Sequence, residues 1–227
     1  MDFWAIVPVK ELDRAKERLA SLLSTELRRA LMLAMLEDVL SALAATPGLA
    51  GLAVVTVDPA ARSMATGYGA RVIEMGARDG HTGAVAAAAG FLAAEGHLGM
   101  LTVPGDIPLV TAAEIAQLVA AHRRAPAFTI APSRDERGSN AILCSPPDAV
   151  PLRFGEDSFF PHLRAAEARG IRPTVVRLPG IALDIDTPED LAAFALQPMP
   201  THARALLAAS GMLEALERVA APIGDQW

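Results

Sequence analysis

The chain has 227 residues, is 52% hydrophobic and 20% charged, carries a formal net charge of -6 and contains a single cysteine. That length and apolar content suit one large α/β domain with a proper core, while the acidic balance excludes a general nucleic-acid surface. The lone Cys144 excludes an internal disulfide or a multi-cysteine metal site and is consistent with a reducing compartment.

At the start of the chain, residues 1–9 are too short an apolar run for a signal peptide and include Asp2, and no uncharged run approaches a membrane span. The expectation is a cytoplasmic protein with no membrane partner. Phe3 to Val9 reads as a buried strand, followed at once by Lys10, Arg14, Lys16 and Arg18. Such a cluster can neutralise a polyphosphate, Arg as a planar fork and Lys as a point charge. Glu11, Asp13 and Glu17 interleave with these cations, so a self-paired, solvated helix face is the alternative. There is no Walker pattern and no run of glycines, which leaves a kinase-type phosphate loop unsupported.

Ser24 or Thr25 caps a long amphipathic helix over 25–44, with Leu27, Leu31, Met35 and Val39 on one stripe and Met32 and Met35 as core filler. Pro47-Gly48 ends it, and a strand over 52–57 stops at Asp58-Pro59, completing a βαβ unit. A short helix over 60–67 and a strand over 71–75 follow. Gly80-His81-Thr82-Gly83 precedes an alanine-rich helix over 84–95. A turn at a helix start presents unpaired N–H groups that can receive a phosphate, a ribose hydroxyl or a base edge, the alternative being an ordinary cap by Thr82. His81 has no ligand partner close to it in sequence.

The apolar run 100–103 stops at Pro104-Gly105 and delivers Asp106, with Pro104 and Pro108 stiffening the flanks and Gly105 read as a residue free to take unusual backbone angles. In open α/β sheets ligands collect beyond the carboxyl ends of the strands, so Asp106 is a natural metal or substrate ligand there, or else a turn former. Thr111 caps a helix through His122, and strands over 127–132 and 141–144 flank a polar loop that ends in Ser139-Asn140, whose hydroxyl and amide suit an anion or carboxylate. Phe154-Gly155 opens a helix to about Arg169, with Gly155 and Ser158 offering donors at its start. After a strand over 174–178, period two places Asp184 and Asp186 on one face of an extended segment, a pairing that suits Mg²⁺, and Thr187-Pro188 begins a helix as cap and first residue. The tail, residues 198–227, holds one helix over about 203–219, read as a surface-packing element or subunit contact.

The ordered set Val7-Pro8-Val9-Lys10, Ala15-Lys16-Glu17-Arg18-Leu19, Pro104-Gly105-Asp106-Ile107-Pro108-Leu109, Ala131-Pro132-Ser133, Gly138-Ser139-Asn140-Ala141, Phe154-Gly155 with Ser158-Phe159, and Asp184-Ile185-Asp186-Thr187-Pro188-Glu189-Asp190-Leu191 resembles the 2-phospho-L-lactate guanylyltransferase family. The resemblance covers about Ile6 to Phe194. It implies a three-layer α/β/α, GT-A-like nucleotidyltransferase domain with a mainly parallel mixed sheet over residues 1–197, followed by the tail. It further implies transfer of GMP from GTP to a phosphorylated three-carbon acid (2-phospho-L-lactate, phosphoenolpyruvate or 3-phosphoglycerate), with release of pyrophosphate, in deazaflavin coenzyme biosynthesis. On this resemblance Lys10, Lys16 and Arg18 hold the triphosphate, and Lys10, Lys16 and Asp106 are the catalytic set. Gly80 and Thr82 contact the nucleotide, Asp106, Asp184 and Asp186 hold Mg²⁺, and Ser139, Gly155 and Ser158 hold the acid. The chain departs from the family in having Gly80-His81-Thr82 where Gly-Leu-Asn is usual, and Ser139 where Thr is usual.

Such chemistry needs no side-chain nucleophile, because the acceptor phosphate is itself the nucleophile and the site must relieve repulsion between two anions and align them. Rival readings are a cytidylyl- or molybdopterin-guanylyl-type transferase, a GT-A glycosyltransferase using the same aspartates, or a catalytically inactive nucleotide-binding protein. A homodimer is a further expectation.

Overall fold

A computed structural model describes residues 2–155 and 157–220; Glu156, residues 221–227 of the tail and the Arg14 side chain of the basic cluster lie outside the described residues. Strands β1 (Phe3–Pro8), β2 (Leu49–Val55), β3 (Arg71–Ile73), β4 (Gly99–Thr102), β5 (Ala127–Pro132), β6 (Ser139–Ser145) and β7 (Thr174–Val175) form one sheet in the order β3-β2-β1-β4-β6-β5-β7. Every pairing is parallel except the two made by β6, which runs antiparallel to β4 and β5. The helices are α1 (Thr25–Ala44), α2 (Pro59–Gly67), α3 (Gly80–Ala94), α4 (Ala112–Ala121), α5 (Phe159–Ala168), α6 (Pro179–Ala182), α7 (Pro188–Ala195), α8 (His202–Ala209) and α9 (Met212–Ala220).

The sheet is covered on both faces, which explains why β1 is a continuous apolar run. Ala5 and Val7 face the core formed with α1, α2, α4, α7 and α8, whereas Ile6 faces α3, together with Ala53, Val55 and Met100. A third apolar cluster seats α5 on β5 and β6 through Phe159, Phe128 and Ile142. The three-layer α/β/α architecture with a mainly parallel mixed sheet is therefore as expected. In α1, Leu31, Met35 and Val39 are fully buried and the Ser24 hydroxyl accepts from Leu27 N–H, so the cap is Ser24 rather than Thr25.

Some boundaries move. β2 begins at Leu49 instead of residue 52, and β7 is only two residues long, ending at Val175. α5 starts at Phe159, five residues beyond Phe154. α3 starts at Gly80, whose φ of +72° turns the chain directly into the helix, so His81 and Thr82 are already helical and Thr82 is not its cap. The tail is two helices, because Gly211 at φ +74° ends α8 in the left-handed conformation. Their apolar sides, through Ala203, Leu207 and Leu216, join the main core of the same chain. Asp38 of α1 anchors α8 by accepting from His202 N–H (2.6 Å), Ala203 N–H (3.0 Å) and His202 Nδ1 (2.9 Å).

Candidate active site

A cleft of about 710 Å³ opens over the carboxyl ends of the parallel strands. Its walls come from the loop after β1, the start of α3, the turn after β4, the start of β6, the residues Phe154, Gly155 and Ser158, and the irregular segment 183–186. Because β6 is antiparallel, its first residues, Ser139 and Asn140, reach the same edge at which its neighbour β4 ends. Every residue given a site role by the family resemblance lines this cleft: Lys10, Lys16, Arg18, Gly80, Thr82, Asp106, Ser139, Gly155, Ser158, Asp184 and Asp186.

The basic loop is neither open coil nor a helix face. It makes two 3₁₀ turns, Leu12–Arg14 and Glu17–Leu19, with Lys16 between them in the left-handed region at φ 53°. Asp58 secures it: one carboxylate oxygen caps α2 at Ala60 and Ala61, and the other accepts from Leu12 N–H at 3.2 Å. The Lys16 side chain, 5% exposed, then reaches Asp106 Oδ2 at 2.5 Å and Asp186 Oδ1 at 2.7 Å. Burial alone would lower its pKa, but the two carboxylates prevail and hold it above the ordinary lysine value. The same contact acts in reverse on Asp186: burial pushes its carboxyl up, and the Lys16 ammonium, with Arg18 and Lys10 beyond, brings it below the usual range.

The acidic segments are joined through the backbone. Ile185 N–H donates to Asp106 C=O at 3.0 Å, and the fully buried Ile185 leaves its neighbours Asp184 and Asp186 lining the cleft. The period-two placement of those carboxylates is thus realised without a ladder strand. Asn140 orients Asp184 by donating to its Oδ1 at 3.0 Å, while also donating to Ile181 C=O at 3.0 Å. Burial raises the Asp184 carboxyl, the Asn140 hydrogen bond opposes this, and Asp106 and Asp186 add to the rise. Asp106 Oδ1 is buried with no partner among the described residues. As the side chains lie, with the Lys16 ammonium between Asp106 and Asp186, no three Asp, Glu, His or Cys groups among the described residues are gathered closely enough to hold a metal.

Two details differ from the sequence reading. Gly105 does not adopt a positive φ; its missing Cβ instead lets α1 close in, since a Cβ there would stand 3.2 Å from Met32 Cε. The cleft glycines that take positive φ are Gly80, at +72°, and Gly155, at +149°. Beside Gly155, the Thr82 hydroxyl accepts from Phe154 N–H at 3.0 Å and donates to Phe154 C=O at 3.3 Å, which ties α3 to the segment carrying Gly155 and Ser158. His81 stacks on Phe154 with ring centroids 4.2 Å apart; burial lowers its pKa to about 4, so the ring is neutral.

The hydroxyl side of the cleft is a connected network. Ser158 stands at the N-cap position of α5 without capping it; its Oγ donates to Ser139 Oγ at 3.3 Å. Ser139 Oγ lies 2.9 Å from His162 Nδ1, and His162 Nε2 accepts from Arg153 N–H at 2.9 Å. Neither His162 nor the Asn140–Asp184 contact was singled out from sequence; a lone histidine on a helix carries no local signal, and Asn140 stood only as one donor in a polar loop. Cys144 is fully buried on β6 and burial pushes its thiol up to about 12, which removes it as a nucleophile.

The family model described as guanylyl transferase CofC like matches residues 3–221. The chain belongs to that family. Among curated relatives, the phosphoenolpyruvate guanylyltransferase of Conexibacter woesei is 38% identical, over 85% of this chain and 87% of the relative. The 3-phospho-D-glycerate guanylyltransferase of Colwellia psychrerythraea is 35% identical (86% and 92%), and the 2-phospho-L-lactate guanylyltransferase of Methanothermobacter thermautotrophicus 36% (89% and 88%). Among solved structures, a nucleotidyl transferase from Methanothermobacter superposes with a TM-score of 0.60 over 86% of this chain and 95% of that one; at 18% identity this likeness concerns the fold. No helix among the described residues is long and apolar enough to cross a membrane.

Proposed function

We propose that the protein is a guanylyltransferase that transfers GMP from GTP to a phosphorylated three-carbon acid and releases pyrophosphate. One observation carries this reading beyond family membership: a single cleft is lined by cations, carboxylates and hydroxyl donors, with the Lys16 ammonium on Asp106 and Asp186 and the hydroxyls of Ser139 and Ser158 bonded to each other. Two anions must meet for this reaction, and this lining suits a polyphosphate at Lys10, Lys16 and Arg18 and a smaller phospho acid at Ser139, Gly155 and Ser158. The acceptor phosphate attacks the α-phosphorus of GTP, a P–O bond forms, and the bond to pyrophosphate breaks. The chain's own residues hold the reactants in line and offset their charge, and the neutral His81 and inert Cys144 are consistent with the absence of a covalent enzyme intermediate.

Asp106, Asp184 and Asp186 are the residues that would hold Mg²⁺. Their donors are oxygens only, one of them the unpartnered Asp106 Oδ1, a set that suits a hard cation once the Lys16 ammonium no longer lies between Asp106 and Asp186. When bound, the ion would offset charge on the phosphates and on the departing pyrophosphate. On the family resemblance we propose deazaflavin coenzyme biosynthesis as the pathway of the product, and Gly80 with the α3 N-terminus as the nucleotide contact.

The test is pyrophosphate release from a matrix of GTP, CTP, ATP and UTP against phosphoenolpyruvate, 2-phospho-L-lactate and 3-phospho-D-glycerate, with Mg²⁺ present or chelated. Release with GTP and one of these acids is the expected result. Release with CTP in place of GTP would favour the cytidylyl-type reading, and no release with any pair would leave a nucleotide-binding protein without this activity.

A further inference from the structure

We propose that His162 is a positioning residue that turns the Ser139 hydroxyl outward as a hydrogen-bond donor to an anionic oxygen of the acceptor acid; the inference rests on the acid-side assignment above. The backbone N–H of Arg153 can only donate, so His162 Nε2, 2.9 Å away, must carry the lone pair and Nδ1 the proton. Nδ1–H therefore donates to Ser139 Oγ at 2.9 Å. The Ser158 hydroxyl also donates to Ser139 Oγ, at 3.3 Å. With two donors directed at its oxygen, Ser139 keeps its own hydrogen for another acceptor, and none among the described residues takes it. Ser139 lines the cleft, so the remaining direction leads to the ligand. The ring cannot easily change this arrangement, since His162 is 1% exposed and its edge packs on Phe154 with centroids 5.1 Å apart.

The tautomer is read first in the unaltered protein, by long-range ¹H–¹⁵N correlation spectra of the histidine-labelled chain. A protonated Nδ1 and a bare Nε2 on His162 are expected; the opposite tautomer overturns the proposal. Kinetics with GTP and phosphoenolpyruvate, or whichever tested acid is turned over, then separates positioning from packing. His162→Asn keeps a donor near the Nδ1 position, whereas His162→Gln keeps only a partner for Arg153 N–H. His162→Gln should raise the KM for the acid about tenfold or more with the KM for GTP unchanged, and His162→Asn should recover most of that loss. The double variant His162→Gln/Ser139→Ala should be no worse than Ser139→Ala alone, because both remove one donor. Losses that multiply in the double variant, or equal rises in both KM values, would make His162 a packing residue and overturn the proposal. A chain inactive with every acid before any substitution would instead refute the guanylyltransferase reading, while leaving the tautomer measurement standing.

Discussion

Lys16 Nζ lies 2.5 Å from Asp106 Oδ2, closing the loop after β1 onto the turn after β4 across 90 residues of sequence. The left-handed backbone at Lys16 costs about 1–2 kcal/mol for a non-glycine residue, so the loop keeps this shape only because other contacts outweigh the strain. Those contacts are the Asp58 tie at Leu12 and the two carboxylates at the ammonium. Cation and carboxylates are therefore prearranged around one point of the cleft before any phosphate arrives.

Removing the ammonium should affect the nucleotide more than the acid. In Lys16→Ala, GTP binding is expected to weaken by a larger factor than binding of the phospho acid, as read by calorimetric titration of each ligand. Equal loss for both ligands would take Lys16 out of the triphosphate site.

Asp106→Asn and Asp186→Asn should each lower turnover by at least about tenfold, the effect expected when a positioned cation loses a charged ligand. Steady-state rates across a Mg²⁺ titration provide the check. Unchanged rate and unchanged Mg²⁺ dependence in both variants would remove these carboxylates from a metal role.

Ser158→Ala separates ligand binding from helix capping. The hydroxyl makes no cap on α5 and donates to Ser139, so the substitution should leave the melting temperature nearly unchanged. It should raise the KM for the acid and leave that for GTP alone, because Ser139 loses one of the two donors that direct its own hydrogen toward the ligand. A lowered melting temperature with both KM values intact would show Ser158 to be structural.

Acid should destabilise the fold through its neutral imidazoles. Burial lowers His81 and His162 from 6.5 to about 4. Between those values the unfolded chain binds protons that the native chain refuses, so their contribution is complete above pH 6.5 and declines as the pH falls toward 4. Melting curves across that range should show this fall, and His162→Gln should lose part of the acid sensitivity.

Asp38→Ala should loosen the tail without touching the cleft. Three donors from His202 and Ala203 lose their acceptor, two of them backbone groups at the start of α8. A loss of about 1–3 kcal/mol is expected in denaturant unfolding, with earlier proteolysis near residues 198–202 and unchanged turnover of the folded fraction.

The seven strands and the helix over 25–44 were legible in the sequence because their signals are local. An apolar run bounded by proline, glycine or aspartate needs only its own residues to declare itself, as at Pro104-Gly105-Asp106. The same local chemistry identified Thr111 and Thr187 as caps, each now part of a reciprocal capping box with Glu114 or Asp190. Motif order then gathered the candidate residues of the cleft, since strand ends in a parallel sheet share one edge.

What the tertiary structure alone decided is which of those groups touch. Lys16 is 170 residues from Asp186, Asn140 is 44 from Asp184, and Thr82 is 72 from Phe154. Nothing in the neighbouring sequence of any of these residues specifies its partner. A strand signal depends on a few adjacent side chains and their solvent preference, whereas a side-chain hydrogen bond depends on distance and direction within a few tenths of an ångström. Those are fixed only when α3, β6 and α5 have packed on the sheet, and for that reason the roles of Thr82 and His162 emerge from the folded chain.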